Sequence, residues 1–171
     1  IRDQALVMRI RQAVPEDAGA ICDIWNVVIR DTLITFTSEE KTPGSLRQVI
    51  KNRGAAFLVA ETEDRHLCGF ASYGAFRSGA GYQFTREHTV MLAPSARGQG
   101  IGRKLIEMLE QIAISENVMS LIGGISGANP GGITFHQRLG FEIVGQIPKA
   151  GFKSGQWVDL VLMQKILGVP H

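Results

Sequence analysis

Cysteine is scarce in this sequence. Cys22 and Cys68 are the only two in 171 residues, and each lies in an apolar stretch. They read as two buried thiols in a reducing compartment, not as a disulfide framework. No Cys/His cluster has metal-ligand spacing, which excludes a structural zinc. Long apolar runs are missing as well. None reaches the roughly 18 residues needed to span a bilayer, and no basic-then-apolar segment of the secretory kind leads the chain. An excess of one charge is also lacking: 18 Lys and Arg face 16 Asp and Glu, a net charge of +2 with no basic run. That balance gives no argument for a nucleic-acid partner. The expected setting is the cytoplasm, with neither membrane nor nucleic acid as a partner.

What is present is ordinary for a globular chain, with 44% apolar and 20% charged residues, a composition that opposes disorder. One domain is expected at this length. Such a chain buries roughly 70% of its extended-chain surface, enough to fold without disulfides or metal. Met8 is followed at once by strand-like Arg9-Ile10-Arg11. We therefore read residues 1–7 as lying upstream of the fold, Met8 as the initiator, 8–167 as one domain and 168–171 as a tail.

Residues 8–13 predict a short strand. Pro15, Glu16 and Asp17 suit a first helical turn, where a missing N–H is harmless and acids face the positive end of the dipole. Ile21, Ile24, Trp25 and Val28 then recur at helical spacing, giving a helix over 15–30. Asp31 to Thr42 reads as a loop with Phe36 as its one aromatic. Thr42-Pro43 opens a second helix that Gly54 stops. Runs at 56–62 and 67–76 suggest an antiparallel hairpin, and 82–92 a further strand ended by Pro94. Ile101, Leu105, Met108, Leu109 and Ile112 share one face of the strongest helix. A buried strand at 118–125, a short helix from Asn129-Pro130 to Gly140, and strands at 141–147 and 157–165 complete an α/β (α+β) order, βααβββαβαββ.

The informative unit is the stretch from Pro94 to Gly102, between strand and helix. A helix N-terminus leaves main-chain N–H groups unpaired and carries positive potential. Glycines let that backbone approach an anion without a Cβ in the way. Converging N–H groups make a diphosphate cradle, and Arg97 adds a cation at its rim. Two familiar phosphate loops fail: Gly98 is not followed by the Lys-Ser/Thr of a P-loop, and Arg103 stands where a dinucleotide fingerprint needs glycine. By itself the stretch reads sooner as a Gly-rich turn that merely ends a strand.

Arg97-Gly98-Gln99-Gly100-Ile101-Gly102 matches a Q/R-x-x-G-x-G/A pattern, and Asn129 is followed by His136 and then Leu139-Gly140-Phe141. On these motifs the chain resembles the Gcn5-related N-acetyltransferases, from Met8 to about Leu167. Gly69 to Arg77, Tyr82, Thr85 to Val90, Thr35-Phe36 and Ala150 to Asp159 resemble, more narrowly, the phosphinothricin and methionine-sulfoximine acetyltransferases. The resemblance implies a mixed, mostly antiparallel sheet of six to seven strands, splayed where the cofactor enters, with helices on both faces. It also implies acetyl-CoA as co-substrate, no metal, a small amino acid as acceptor, and a homodimer.

The resemblance further assigns roles. Glu87 is the general base, with a pKa that partial burial in a strand raises; the other reading is a solvent-facing Glu paired with Arg86 or a Lys. His136 is the general acid, or else a helix His packed beside Phe135 and Leu139. His88 falls on the opposite strand face from Glu87 and is structural. The pantetheine arm lies along Val90, Met91 and Leu92 like an added strand, with the Leu92 N–H as oxyanion donor. Arg97, Gly98, Gln99, Gly100, Ile101 and Gly102 hold the diphosphate. Asn129 bonds the arm or caps the helix at Pro130. Arg77, or Arg86, meets the acceptor's carboxylate, within walls from Phe36, Phe76 and Tyr82. Lys153, Trp157 and Asp159 belong to the narrower pattern, with Trp157 expected in the core. A peptide or protein N-terminal acetyltransferase, and a non-catalytic acyl-CoA sensor, are the alternatives.

Overall fold

The computed structural model describes residues 9–168; the readings given above for 1–7, for Met8 and for the tail beyond Gly168 lie outside the described residues. Seven strands form one sheet: β1 (Arg9–Gln12), β2 (Phe57–Glu61), β3 (Leu67–Ala75), β4 (Thr85–Leu92), β5 (Ser120–Ser126), β6 (Glu142–Lys153) and β7 (Gln156–Ile166). Their order is β1-β2-β3-β4-β5-β7-β6. Neighbours run antiparallel except β4 and β5. The helices are α1 (Ala18–Asp31), α2 (Pro43–Arg53), α3 (Ile101–Ser115) and α4 (Pro130–Arg138). The element order is the expected one.

Side chains that alternate across β2 and β3 build a core on each face. Phe57, Val59 and Phe70 pack with Ile21, Cys22 and Leu46 under α1 and α2. Leu58, Ala60, Cys68 and Ala71 pack with Leu105 and Leu109 of α3 on the other face. Both cysteines are therefore buried, one in each core. The helix ends follow local chemistry. Thr42 Oγ1 accepts from the Ser45 N–H at 3.2 Å to start α2, and Gly54 leaves it at φ 54°. Asn129 Oδ1 accepts from the Gly132 N–H at 3.0 Å to start α4.

Three expectations need correction. The strand predicted from 82 begins at Thr85, because Ala80–Tyr82 forms a 3-10 turn. The strand predicted to stop at 147 runs on to Lys153 as β6. It passes Pro148 because β6 is the sheet's edge, where a missing N–H breaks no ladder, and because the register shifts between Ile147 and Gly151. Asp159 pins that bulge by accepting from the Lys149 N–H at 2.8 Å. Trp157 is 63% exposed rather than in the core; it packs on Phe152 across the β6–β7 hairpin with ring centroids 4.9 Å apart.

The sheet opens between β4 and β5. β4 and β5 pair only at Thr85–Ser120, Arg86–Leu121 and Glu87–Ile122. β4 then stays on β3 as far as Leu92, while β5 stays on β7 as far as Ser126. The two halves of the sheet diverge into a fork with Glu87 at its apex.

Candidate active site

A cavity of about 660 Å³ opens within the fork, lined from His88 onward and not by Glu87 itself. One wall is β4 from His88 to Leu92, and the other is β5 from Gly124 to Ser126. The head of α3 and the first turns of α4 close one end, and the loop from Ile34 to Thr37 covers the top. Because β4 has lost β5 as a neighbour here, its main-chain groups on that side have no strand partner. An extended arm carrying amide groups suits such an edge.

The Gly-rich stretch leads from the rim of this cavity into α3. Gly98 and Gly100 have φ of 76° and 79°, the left-handed region. A Cβ on either would meet no atom within 4 Å, so the space above them is open. Among the described residues, the main-chain N–H groups from Gly98 to Arg103 have no acceptor. Gln99 Nε2 donates back to the Ser95 carbonyl at 3.1 Å and holds the loop in shape. Ile101 is buried in the core and offers only its N–H. Gly102 serves packing, since a Cβ there would come 3.1 Å from the Phe135 ring. The donor set fits a diphosphate, with Arg97 on the cavity wall to add a charge. Asn129 does its capping through Oδ1 and keeps Nδ2 for the cavity it lines.

Glu87 faces the α1–α2 side of the sheet. Its cross-strand partner is Gly74, and its Oε2 lies 3.7 Å from where Gly124 would carry a Cβ. Neither glycine puts a side chain of its own beside the carboxylate; the Arg53 guanidinium lies over Gly74 and Leu160 over Gly124. Glu87 makes no ion pair among the described residues, with Arg86 or with any lysine. Its side chain reaches solvent, yet loss of part of its hydration pushes the carboxyl above its ordinary value, with Arg53 pulling the other way.

On the α3–α4 side, His88 and His136 meet with their Nε2 atoms 2.8 Å apart. They are 5% and 3% exposed. His136 Nδ1 lies 2.7 Å from the Gly132 carbonyl, which only accepts, so the proton is assigned to Nδ1. His136 Nε2 is then bare and accepts from His88 Nε2–H, which leaves His88 Nδ1 buried with no hydrogen-bond partner among the described residues. Burial, reinforced by the neighbouring ring, pushes the His88 pKa down to about 3, and burial lowers His136 too. The pair is neutral. His88 is on the opposite face from Glu87, as strand alternation predicts, but that face carries the second wall of the site.

The covering loop is held at several points. Lys153 Nζ, 6% exposed, donates to the Thr32 carbonyl at 2.8 Å, the Thr35 carbonyl at 2.8 Å and Thr35 Oγ1 at 3.1 Å. Ser126 Oγ–H donates to the Leu33 carbonyl at 2.7 Å. Phe36 lies flat on Gly151, where a Cβ would come within 2.5 Å of the ring.

Of the residues expected in the site, Phe36, Val90, Met91, Leu92, Arg97, Gly102, Asn129 and His136 line one cavity. Phe76, Arg77 and Tyr82 form a separate cluster at the β3–β4 turn. There Arg77 lies over the Phe76 ring at 5.5 Å, and Phe76 meets Tyr82 edge-on at 6.2 Å. Arg86 alternates to the face opposite Glu87, beside Tyr73, whose hydroxyl donates to Glu116. Arg77 and Arg86 therefore do not come together over Glu87. Sequence reading passed over Arg53 and the partnership of His88. Arg53 looked like an ordinary basic residue in a last helical turn, and nothing local ties His88 to a residue 48 positions on.

Residues 23–141 match the sequence profile described as the Acetyltransferase (GNAT) family. The L-methionine sulfoximine/L-methionine sulfone acetyltransferase of Salmonella typhimurium is 34% identical over 163 residues, covering 92% of this chain and 93% of that protein. An acetyltransferase from Salmonella typhimurium, solved with acetyl-CoA, superposes with a TM-score of 0.91 at 32% identity and covers 96% of each chain. A structure described as a ribosomal-protein-alanine N-acetyltransferase from Brucella melitensis superposes with a TM-score of 0.88 at 38% identity, covering 93% of this chain and 99% of that one. The matched profile runs from within α1 to the residue before β6, through β4, β5, α3 and α4, and this chain belongs to the acetyltransferase (GNAT) family.

Proposed function

We propose that this acyltransferase moves the acetyl group of acetyl-CoA onto the α-amino group of a small amino acid or a close analogue, such as methionine sulfone, methionine sulfoximine or phosphinothricin. It does so as a homodimer in the cytoplasm. The observation that carries the reading is the place of Glu87, a carboxylate with no ion pair among the described residues, at the apex of a fork where β4 parts from β5.

An ammonium must lose a proton before its nitrogen can attack a thioester. Glu87 takes that proton, directly or through a water. The N–H groups from Gly98 to Arg103, with Arg97, hold the diphosphate, and β4 at Val90, Met91 and Leu92 with Asn129 holds the arm. The Leu92 N–H faces the thioester oxygen and takes up the negative charge that develops there. His136 is our candidate for returning a proton to the departing sulfur. It serves only once its bond to His88 opens, because in the resting pair neither ring offers an N–H to the cavity. The strapped loop with Phe36 on Gly151 favours a small acceptor.

The Brucella melitensis neighbour favours a second reading, acetylation of a protein N-terminus. A thiol-release assay with acetyl-CoA separates the two. Methionine sulfone, methionine sulfoximine and phosphinothricin should release thiol, and an alanine-leading peptide should not. Preference for the peptide overturns the amino-acid reading.

A further inference from the structure

Arg53 is the last residue of α2, and its guanidinium lies flat against β3. Nη1 donates to Ser72 Oγ at 2.9 Å. Nη2 is 2.7 Å from the position a Cβ would take on Gly74, so only glycine lets the arginine rest there. Gly74 is the cross-strand partner of Glu87, and opposed residues on antiparallel strands share a face. The guanidinium and the Glu87 carboxylate are thus neighbours on one face of adjacent strands. Each feels the other's charge, yet they do not approach to within 4.0 Å as an ion pair.

Two opposite charges, partly withdrawn from water and held short of contact, form an incomplete arrangement. Of the five N–H donors of the guanidinium, one has a partner. The Glu87 carboxylate has none among the described residues. A ligand bearing one charge of each sign completes both ends at once. In an α-amino acid the nitrogen and the carboxyl carbon are about 2.5 Å apart by standard bond lengths, so the two groups reach two neighbouring strands. Gly74 and Gly124 put no side chain of their own beside Glu87; the Arg53 guanidinium lies over the first and Leu160 packs over the second.

We propose that Arg53 receives the carboxylate of the acceptor while Glu87 receives its ammonium, so that the two residues form a cradle for a zwitterion. This rests on the amino-acid reading above and replaces Arg77 and Arg86 as the carboxylate's partner. Arg77 is exposed and stacked on Phe76, and Arg86 lies on the other face. The cradle also gives a reason for selecting free amino acids: a simple amine fills one end and leaves Arg53 unmatched.

The test compares methionine sulfone with its α-carboxamide as acceptors, by thiol release, in wild type, Arg53→Gln and Arg53→Lys. Wild type should prefer the acid in kcat/KM. Arg53→Gln should shrink that preference by roughly 10- to 100-fold, the loss expected for hydrogen bonds to a charged group. Arg53→Lys keeps a point charge but not the planar fork, and should retain part of the preference. The same acid-to-amide ratio in all three proteins overturns the proposal, even if both rates fall together. Should Arg53→Gln fail to fold, an unchanged ratio in Arg53→Lys is enough to overturn it. If wild type releases thiol with neither acceptor, the amino-acid reading has failed on its own. Calorimetric binding of methionine sulfone to wild type and to Arg53→Lys then decides the cradle: weaker binding to the variant supports it, and equal or absent binding to both overturns it.

Discussion

Glu87 is placed so that protein withdraws part of its water while leaving it one open side, and its pKa moves up. The sign matters for the reaction. A carboxyl with a raised pKa keeps its proton to higher pH, so the base form is lost as pH falls toward and below that raised value. The acidic limb of kcat/KM should therefore lie above the ordinary glutamate range. Glu87→Gln should lower turnover by about 100-fold or more and abolish that limb, while acetyl-CoA still binds by calorimetry. A limb that persists in the variant would assign it to another group. The histidine pair gives a second prediction, about stability. Both pKa values are depressed on folding from 6.5, His88 to about 3. The unfolded chain then binds more protons below pH 6.5, so this stability is present above that pH and lost as pH falls toward 3. Denaturant melts between pH 7 and 5 should show stability declining by up to about 1.4 kcal/mol per pH unit for each histidine. His88→Phe should flatten the slope, whatever it does to stability at pH 7.

At the scale of elements, what was legible was what local chemistry determines. Thr42, Gly54, Asn129 and Gly140 announce helix ends because a cap or a left-handed φ is set within a few residues. The head of α3 was legible for the same reason: its function needs backbone and glycine, not a distant partner. Relations across the sheet were not. Trp157 looked like core because large aromatics usually are, and nothing near it says that β7 lies next to the edge. Pro148 looked like a strand end because its edge position was unknown. Alternation separated His88 from Glu87 in the sequence, and it turns Arg86 away from Glu87 in the same manner. Lys153 carried a pattern but no visible purpose until the 32–36 loop folded onto it. Removing its three donated bonds should loosen that loop. Lys153→Met leaves two carbonyls short of a partner, a loss of about 1–3 kcal/mol per buried group. The KM for the amino acid should rise roughly 10-fold, the span of about 1.4 kcal/mol, with kcat changed much less. Equal falls in kcat with KM untouched would place Lys153 in the chemistry instead.

At the scale of the whole molecule, the sheet ends on an edge that the described chain does not cover. β6 is twelve residues long and pairs with β7 alone. Ile143, Val144, Ile147, Phe152 and Trp157 along the β6–β7 hairpin are all more than two-fifths exposed. A long edge strand with apolar side chains invites pairing and is normally guarded by charge, proline or a bulge. Here the bulge at Pro148 and Lys149 guards only the middle. A second copy of the same hairpin would bury both apolar ends, and a self-complementary patch of this kind closes as a two-fold dimer. The wild-type chain should sediment at twice its 18.6 kDa mass at micromolar concentration. Val144→Lys with Trp157→Lys should sediment as a monomer with its secondary structure intact. The hairpin also carries Gly151 and Lys153, which hold the covering loop. The monomeric variant should therefore bind the acceptor more weakly than the coenzyme, with KM for the amino acid raised and KM for acetyl-CoA nearly unchanged. A wild-type chain that sediments as a monomer at that concentration would mean that the hairpin's apolar face is not a contact between copies.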